Sequence, residues 1–397
     1  MTKKNMLFVI DSLHVAGAEK SLTTLLNLLD FSKYSVDLML FAHGGEFEKL
    51  VPKEVNILRP LNYTKFTELS FTDSVINSIK KFHFKMLRSR LKYSFRIRKK
   101  NYSIAEEARI FWQSVSNVIE KNEKKYDIAI SYAQGIPTYY VADKVDATEK
   151  YAWVNASIRL NEKEKNYQKL FYNKFKKIVA VSDSAHEIFI ETFPEYSSKM
   201  EVIYDINNPD FILQMAHSGE SYEDQFNGIK LLTIGRLAYE KGYEIALEAC
   251  KNLKEQGINF RWYVLGKGPL QQEIEKYIKD HDLQSNFILL GVKSNPYPYI
   301  KDADVYVQTS KFEGFGLAIA EARMLNIPVV TTRFDAVYNQ MIDGKNGLVV
   351  DMTADAVTDG VLKLIKNKEL KESIVSYLHV EKKGNVEELT KFYKLIG

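Results

Sequence analysis

Glu313 and Glu321 stand eight residues apart around the sequence Gly314-Phe315-Gly316-Leu317. The preceding run Val305-Tyr-Val-Gln-Thr309 is apolar enough for a strand, and Leu317 to Leu325 has helical composition, so the glycines open a helix directly after a strand. The backbone N–H groups of Gly314, Phe315, Gly316 and Leu317 then sit at the positive end of that helix, a setting that suits phosphate or sugar oxygens. Glycine lets such a ligand approach the main chain closely. A carboxylate on each side is odd for a ligand that is only phosphate. It suits one that also carries hydroxyls, because a carboxylate accepts hydrogen bonds and grips two vicinal OH groups. The plain alternative is a pair of solvated glutamates around an ordinary strand-to-helix turn.

A second constellation follows the strand Lys230-Leu-Leu-Thr-Ile234, where Gly235-Arg236 is separated by four residues from Lys241-Gly242. Ligands of open α/β sheets bind at the carboxyl ends of parallel strands, where this turn lies. A guanidinium fork and a long-stemmed ammonium together suit a diphosphate. The competing reading is a surface ion pair with Glu240 or Glu244. Asp302-Ala-Asp304 has the form of a metal-binding D-x-D, but it runs straight into the Val305 strand and is assigned to structure. The seven histidines show no metal-ligand spacing, so no essential metal is expected.

Glu313-x7-Glu321 with Gly314-Phe315-Gly316 inside it resembles the E-x7-E element of the retaining glycosyltransferases of family 4, whose architecture is GT-B. The resemblance implies that Glu313 faces the donor sugar hydroxyls, Glu321 the ribose of the nucleotide, and the loop amides the sugar and phosphates. Gly235-Arg236-x4-Lys241-Gly242 matches the family's Gly-Arg-x4-Lys-Gly motif at each fixed position, implying that Arg236 and Lys241 neutralise the departing diphosphate. Gly266-Lys-Gly268-Pro resembles the family's Gly-x-Gly-Pro turn beside the donor, and Gly291, Val292 and Lys293 its shelf for the nucleobase. Ala16-Gly17-Ala18-Glu19-Lys20 resembles the Gly-Gly-Ala-Glu loop near the donor phosphate or acceptor, with alanine in the first glycine's place, so only Gly17 is carried over. Relatives often have Trp-x-His where this chain has Trp153-Val-Asn155. Asn155 can hydrogen-bond an acceptor sugar but cannot take up a proton near neutral pH, which argues against a general base there.

These residues need two scaffolds, and the chain is long enough for them: 397 residues suit two domains of about 200. Short apolar runs of the buried parallel type recur from Met6–Ile10 through Tyr34–Ala42, Val55–Leu58, Tyr126–Tyr132, Lys150–Asn155 and Lys177–Ala180 to Met200 onward. They recur again at Lys230–Ile234, Phe260–Leu265, Phe287–Val292, Val305–Thr309, Pro328–Thr332 and Leu348–Val350. Strand, glycine turn and helix repeat as in doubly wound folds, although no dinucleotide G-x-G-x-x-G is present. The reading is α/β, a GT-B pair of Rossmann-like domains facing across a cleft. Residues 1–205 form the acceptor-side domain, 206–228 a polar linker, 229–385 the nucleotide-sugar domain, and 386–397 a helix that crosses back. Ile104 to Lys121 is expected as one amphipathic helix.

Charge divides along the same line. Residues 1–205 carry 32 Lys+Arg against 25 Asp+Glu, and 206–397 carry 23 against 26, so the net +4 comes from the first half. Ser74 to Ala105 holds no acidic residue, while Lys80, Lys81, Lys85, Arg88, Arg90, Lys92, Arg96, Arg98, Lys99 and Lys100 interleave with aromatic and aliphatic side chains. A basic helical segment of this kind suits an anionic membrane surface. A solvated basic helix and a nucleic-acid patch compete with that reading, but no nucleic-acid fold signature accompanies the charge.

The single cysteine, Cys250, excludes an internal disulfide framework and fits a reducing cytoplasm. No run approaches the roughly 18 apolar residues of a membrane span, and the apolar start is too short for a signal peptide. The expectation is a cytoplasmic enzyme, peripheral on the inner face of the plasma membrane, that needs no cofactor. The resemblance implies that it moves a sugar with retention from a nucleotide-sugar, a UDP-sugar being expected, to a glycan or lipid-linked acceptor in cell-envelope polysaccharide synthesis. Nucleic acid is not an expected partner. A sugar-nucleotide epimerase of the same architecture and a non-catalytic partner of another glycosyltransferase are the alternatives.

Overall fold

A computed structural model describes residues 3–14, 17–81, 84–98, 102–155, 160–313, 316–335 and 337–397. The chain divides into two compact units, Met1–Ile206 with Glu387–Gly397, and Asn207–Val386.

In the first unit, β1 (Lys4–Ile10), β2 (Tyr34–Leu40), β3 (Val55–Ile57), β4 (Lys125–Ser131), β5 (Asp146–Val154), β6 (Lys177–Ala180) and β7 (Met200–Val202) form one parallel sheet in the order β3-β2-β1-β4-β5-β6-β7. Met6 through Ile10 are all fully buried, as a central parallel strand covered on both faces requires. Their side chains alternate between the two layers: Leu7 and Val9 enter one core, and Met6, Phe8 and Ile10 the other. The edge strands β3 and β7 are correspondingly short and part-exposed.

The second unit repeats the plan. Here β8 (Ile229–Ile234), β9 (Phe260–Leu265), β10 (Phe287–Gly291), β11 (Val305–Gln308), β12 (Val329–Thr332) and β13 (Leu348–Val350) run parallel in the order β10-β9-β8-β11-β12-β13. Each sheet is thus doubly wound and reverses direction at one place, between β1 and β4 in the first unit and between β8 and β11 in the second.

The C-terminal helix Glu388–Ile396 packs on the first unit. Phe392 lies against Phe8 and Trp153 with ring centroids 6.4 and 6.0 Å apart. The Tyr151 hydroxyl donates to the Leu395 carbonyl at 2.9 Å, which ties off an otherwise unpaired last-turn oxygen.

Three expectations need correction. The stretch 206–228 is no loose linker: it contains the helix Pro209–Ala216, capped by the Asn208 side chain. Ile212 and Ala216 of that helix are buried in the second unit's core. Tyr222 then donates to the Tyr299 carbonyl at 2.8 Å. The helix is short and apolar, and the polar stretch 218–228 that follows it masks it in composition. The helix starting at Ile104 ends at Val115 rather than Lys121.

The basic segment is two helices, Phe71–Lys81 and Phe84–Ile97, and Arg90 is not on its surface. The Arg90 guanidinium turns inward to the Phe66 and Leu69 carbonyls, at 3.3 and 3.0 Å, and to the Ser74 hydroxyl. There it satisfies the orphan carbonyls at the end of the helix Asn62–Glu68. Lys92 and Arg96 both bind Gln113, at its carbonyl and its side-chain oxygen, each at 3.0 Å. Lys85, Arg88, Lys92 and Arg98 are exposed. The side chains of Lys80 and Lys81, and residues Lys99 and Lys100, lie outside the described residues.

Arg90→Leu should therefore cost about 2–4 kcal/mol in urea unfolding, since it strips a charged donor from three oxygens. Arg88→Leu, two residues earlier and exposed, should stay within about 0.5 kcal/mol of the parent.

Candidate active site

The chain leaves β8 toward β9 and leaves β11 toward β12, so the loops after β8 and β11 part company and open a crevice at the carboxyl edge of the sheet. Arg236 and Lys241 lie on the first loop, and Glu313, Gly316 and Leu317 on and beyond the second. Two hydrogen bonds bolt the loops together: the Thr309 hydroxyl donates to the Lys241 carbonyl at 2.9 Å, and the Lys311 N–H to the Glu240 carbonyl at 2.8 Å. Gly242 makes that approach possible. Its φ is +63°, and a Cβ there would lie 2.1 Å from the Thr309 oxygen.

Three donors converge on one oxygen, Glu313 Oε1: Lys241 Nζ at 2.5 Å, Ser310 Oγ at 2.8 Å and Gln308 Nε2 at 2.9 Å. The pair is largely sheltered, with the Lys241 side chain 20% and the Glu313 side chain 13% exposed. Gln308 cannot turn its amide over. Its Oε1 accepts from the Tyr306 hydroxyl at 2.5 Å, and burial pushes that phenol's pKa well up, so Tyr306 remains a donor. Tyr306, Gln308 and Ser310 are thus a buried line of hydrogen bonds running out of β11 that aims the Glu313 carboxylate. Sequence reasoning missed all three. The available signal was polar residues at alternate positions of an otherwise apolar strand.

The loop after β9 closes against the loop after β8. A Cβ on Gly266, whose φ is +154°, would lie 1.9 Å from the Gly235 oxygen, and one on Gly268 would lie 2.3 Å from the Leu237 oxygen. Gly235 accepts from the Tyr243 hydroxyl at 2.9 Å. Gly291 has φ +70° with open space above it, and its carbonyl accepts the Gly266 N–H at 2.8 Å. Val292 and Lys293 follow, the latter with its ammonium 5.7 Å from the Tyr299 ring centre. Gly316, at φ +81°, starts the helix Leu317–Met324, and Glu321 within it is 2% exposed. Arg236 is exposed on its loop. Gly314 and Phe315 lie outside the described residues. Neither Glu240 nor Glu244 takes Lys241: the partner of Glu244 is Lys311. Asp304 accepts the Lys230 N–H at 3.0 Å and so serves the sheet.

The first unit has its own reversal, between β1 and β4. Gly17 begins the helix Gly17–Leu28 there, and Asn155, just past β5, donates through Nδ2 to the Tyr132 carbonyl at 2.5 Å. Around them is an acidic group that sequence reasoning did not single out. Burial raises the Asp11 pKa to about 7, helped by the Glu19 charge, and burial also raises Glu19. Asp205, beyond β7, accepts from Ser21 at 2.5 Å, and burial lifts its pKa to about 6. Ser21 also meets the Tyr132 hydroxyl at 2.9 Å.

The family described as Glycosyl transferases group 1 matches residues 221–378, nearly the whole of the second unit. The second unit is a group 1 glycosyl transferase domain. Each unit is Rossmann-like and the chain has the GT-B architecture. HepE of Anabaena, solved in complex with UDP and glucose, superposes over 99% of this chain and 99% of its own with a TM-score of 0.67. At 15% identity that likeness concerns the fold.

An uncharacterized glycosyltransferase of Methanocaldococcus jannaschii is 27% identical over 61% of this chain and 61% of its own length. The N-acetylgalactosamine-N,N'-diacetylbacillosaminyl-diphospho-undecaprenol 4-alpha-N-acetylgalactosaminyltransferase of Campylobacter jejuni is 26% identical over 51% of this chain and 54% of its own. The chain thus spans between half and two thirds of the length of these relatives. The group 1 domain contains all of Arg236, Lys241, Glu313 and Glu321.

Two outcomes follow from the buried groups. Gln308→Leu leaves the Tyr306 hydroxyl and Glu313 without their shared partner and should lower the unfolding free energy by about 1–3 kcal/mol, read from urea midpoints. Asp205→Asn should behave differently with pH. An acid whose folded pKa is raised makes the fold lose stability as pH climbs from the unfolded value of 3.8 to about 6. The variant should therefore gain roughly 1–3 kcal/mol over the parent at pH 8 and nothing below the unfolded pKa, as thermal melts at the two pH values would report.

Proposed function

We propose that this chain is a retaining glycosyltransferase that moves a sugar from a nucleotide-sugar, a UDP-sugar in our reading, to a glycan or lipid-linked acceptor in cell-envelope polysaccharide synthesis. The observation that carries the reading is the Lys241–Glu313 pair, set by Gln308 and Ser310 at the reversal of the group 1 domain's sheet. An ammonium has three protons to donate, so Lys241 can hold Glu313 and a phosphate oxygen together.

In this reading Arg236 and Lys241 bind the diphosphate and stabilise the charge that grows on it. They supply there the positive charge that a divalent metal supplies in other transferases. Glu313 Oε2 accepts from a donor sugar hydroxyl and Glu321 from the ribose. The amides of Gly316 and Leu317, with those of Gly314 and Phe315, take sugar and phosphate oxygens. Gly266 and Gly268 border the diphosphate, and Gly291 to Lys293 the base. The bond from the anomeric carbon to the diphosphate breaks as the acceptor oxygen bonds the same face of that carbon. The acceptor's proton passes to the leaving phosphate oxygen, which accounts for retention without a nucleophile from the protein. Asn155, in the first unit, is the candidate for hydrogen-bonding the acceptor.

The solved relative with UDP and glucose supports the donor class, and the Campylobacter relative, named for a sugar on diphospho-undecaprenol, supports the acceptor class. The test is thermal stabilisation by UDP-, GDP- and ADP-sugars. A donor at a hundred times its dissociation constant should raise the melting temperature by about 5–10 °C. Lys241→Ala and Glu321→Ala should each abolish that rise. If no nucleotide-sugar shifts the melt, the reading fails and a non-catalytic partner takes its place; product formed without any acceptor would make the chain an epimerase.

A further inference from the structure

Both helices of the basic segment bury serines and leave large apolar side chains exposed. In Phe71–Lys81 the fully buried residues are Ser74 and Ser78, while Phe71 is 57% and Ile79 62% exposed. In Phe84–Ile97 the buried residue is Ser89, while Leu91 is 47% and Phe95 77% exposed. The inward serines satisfy themselves locally: Ser78 donates to the Ser74 carbonyl at 2.7 Å and Ser74 to the Ser70 carbonyl at 2.9 Å. A surface helix ordinarily turns its apolar stripe to the core. Single exposed apolar residues are common, but Phe84, Leu91 and Phe95 recur along one side of the second helix, opposite Met86 and Tyr93, which pack inward.

Asp73 opens the first helix, but the charges along the second are of one sign. Arg88 falls on the same side as Leu91 and Phe95, three and seven residues before them, and Lys85 and Lys92 flank it. All three cations are exposed, and no carboxylate occurs between Ser74 and Ala105. Among the described residues no helix is long and apolar enough to cross a membrane. The face is therefore suited to lying on a bilayer rather than spanning it. Aliphatic and aromatic groups flanked by cations match the acyl boundary and the phosphates just above it.

We propose that this helix pair docks on an anionic lipid surface, with Leu91 and Phe95 entering the headgroup boundary and Lys85, Arg88 and Lys92 meeting lipid phosphates. Docking is independent of the transfer reaction and stands or falls without it.

Co-sedimentation of the full chain with vesicles tests it. The parent should pellet with vesicles of phosphatidylcholine and phosphatidylglycerol in equal parts, stay in solution with phosphatidylcholine alone, and be released as salt rises. Lys85→Gln/Arg88→Gln/Lys92→Gln should weaken partitioning about a hundredfold, and Leu91→Ser/Phe95→Ser about tenfold. Both should keep the parent's melting temperature, because the altered side chains are exposed. Emission from Phe95→Trp should move to the blue on the anionic vesicles. Failure to pellet, equal binding to neutral vesicles, or pelleting unchanged in both multiple variants overturns the proposal. So does a chain that sediments as a dimer, becomes a monomer in Leu91→Ser/Phe95→Ser, and ignores vesicles.

Discussion

A charge taken out of water must meet its opposite, and in the second unit that requirement joins Lys241 to Glu313. The two residues come from loops on opposite sides of the sheet's reversal, so their contact holds the crevice in register. Neither could be sheltered alone: removing one partner of a buried pair strands the other at a cost of several kcal/mol. Gly242 makes the approach of the two loops possible, Thr309 secures it, and Gln308 and Ser310 choose which oxygen of the carboxylate is used. What looks like a binding device is also the local fold.

The first unit obeys the same topology with a different electrostatic outcome. Its reversal gathers Asp11, Glu19 and Asp205 with Ser21 and Tyr132, and the effect of burial on those acids is to favour the protonated form. Where the second unit sheltered a cation with its carboxylate, the first shelters the Asp205 carboxyl with the Ser21 hydroxyl. Burial makes Asp11 and Asp205 sensitive to pH around 7 and 6 respectively.

Strands of this fold are legible because a parallel sheet covered on both faces demands continuous apolar runs, and Met6–Ile10 or Val305–Val307 can hardly be anything else. The motif residues were legible for a related reason: glycines, cations and carboxylates at fixed separations sit on loops, where composition is not dictated by packing. Geometry made by long-range contacts was not. Nothing near position 308 states that a glutamine will be held by a tyrosine two residues back and will itself hold a glutamate five residues on. Nor does the sequence separate Arg90 from its basic neighbours, since only the end of the helix Asn62–Glu68, brought alongside by folding, distinguishes it. The helix Pro209–Ala216 was hidden in the opposite way, its eight mostly apolar residues being lost in the polar stretch that follows them.

The basic helix pair shows where a periodic pattern misleads. Its spacing is that of an amphipathic helix, and the usual inference from such spacing is a face turned to the core. Here Met86 and Tyr93 pack inward beside the small serines, while Phe84, Leu91 and Phe95 are left on the outside. Each large apolar side chain exposed to water forgoes about 1.5–3 kcal/mol of possible burial, and a fold under no other demand would have exchanged serine for leucine on the inner side. The arrangement is intelligible if the solvent against that face is not water. The absence of any carboxylate from Ser74 to Ala105 fits the same reading: an anionic surface attracts the cations and would repel an acid placed among them.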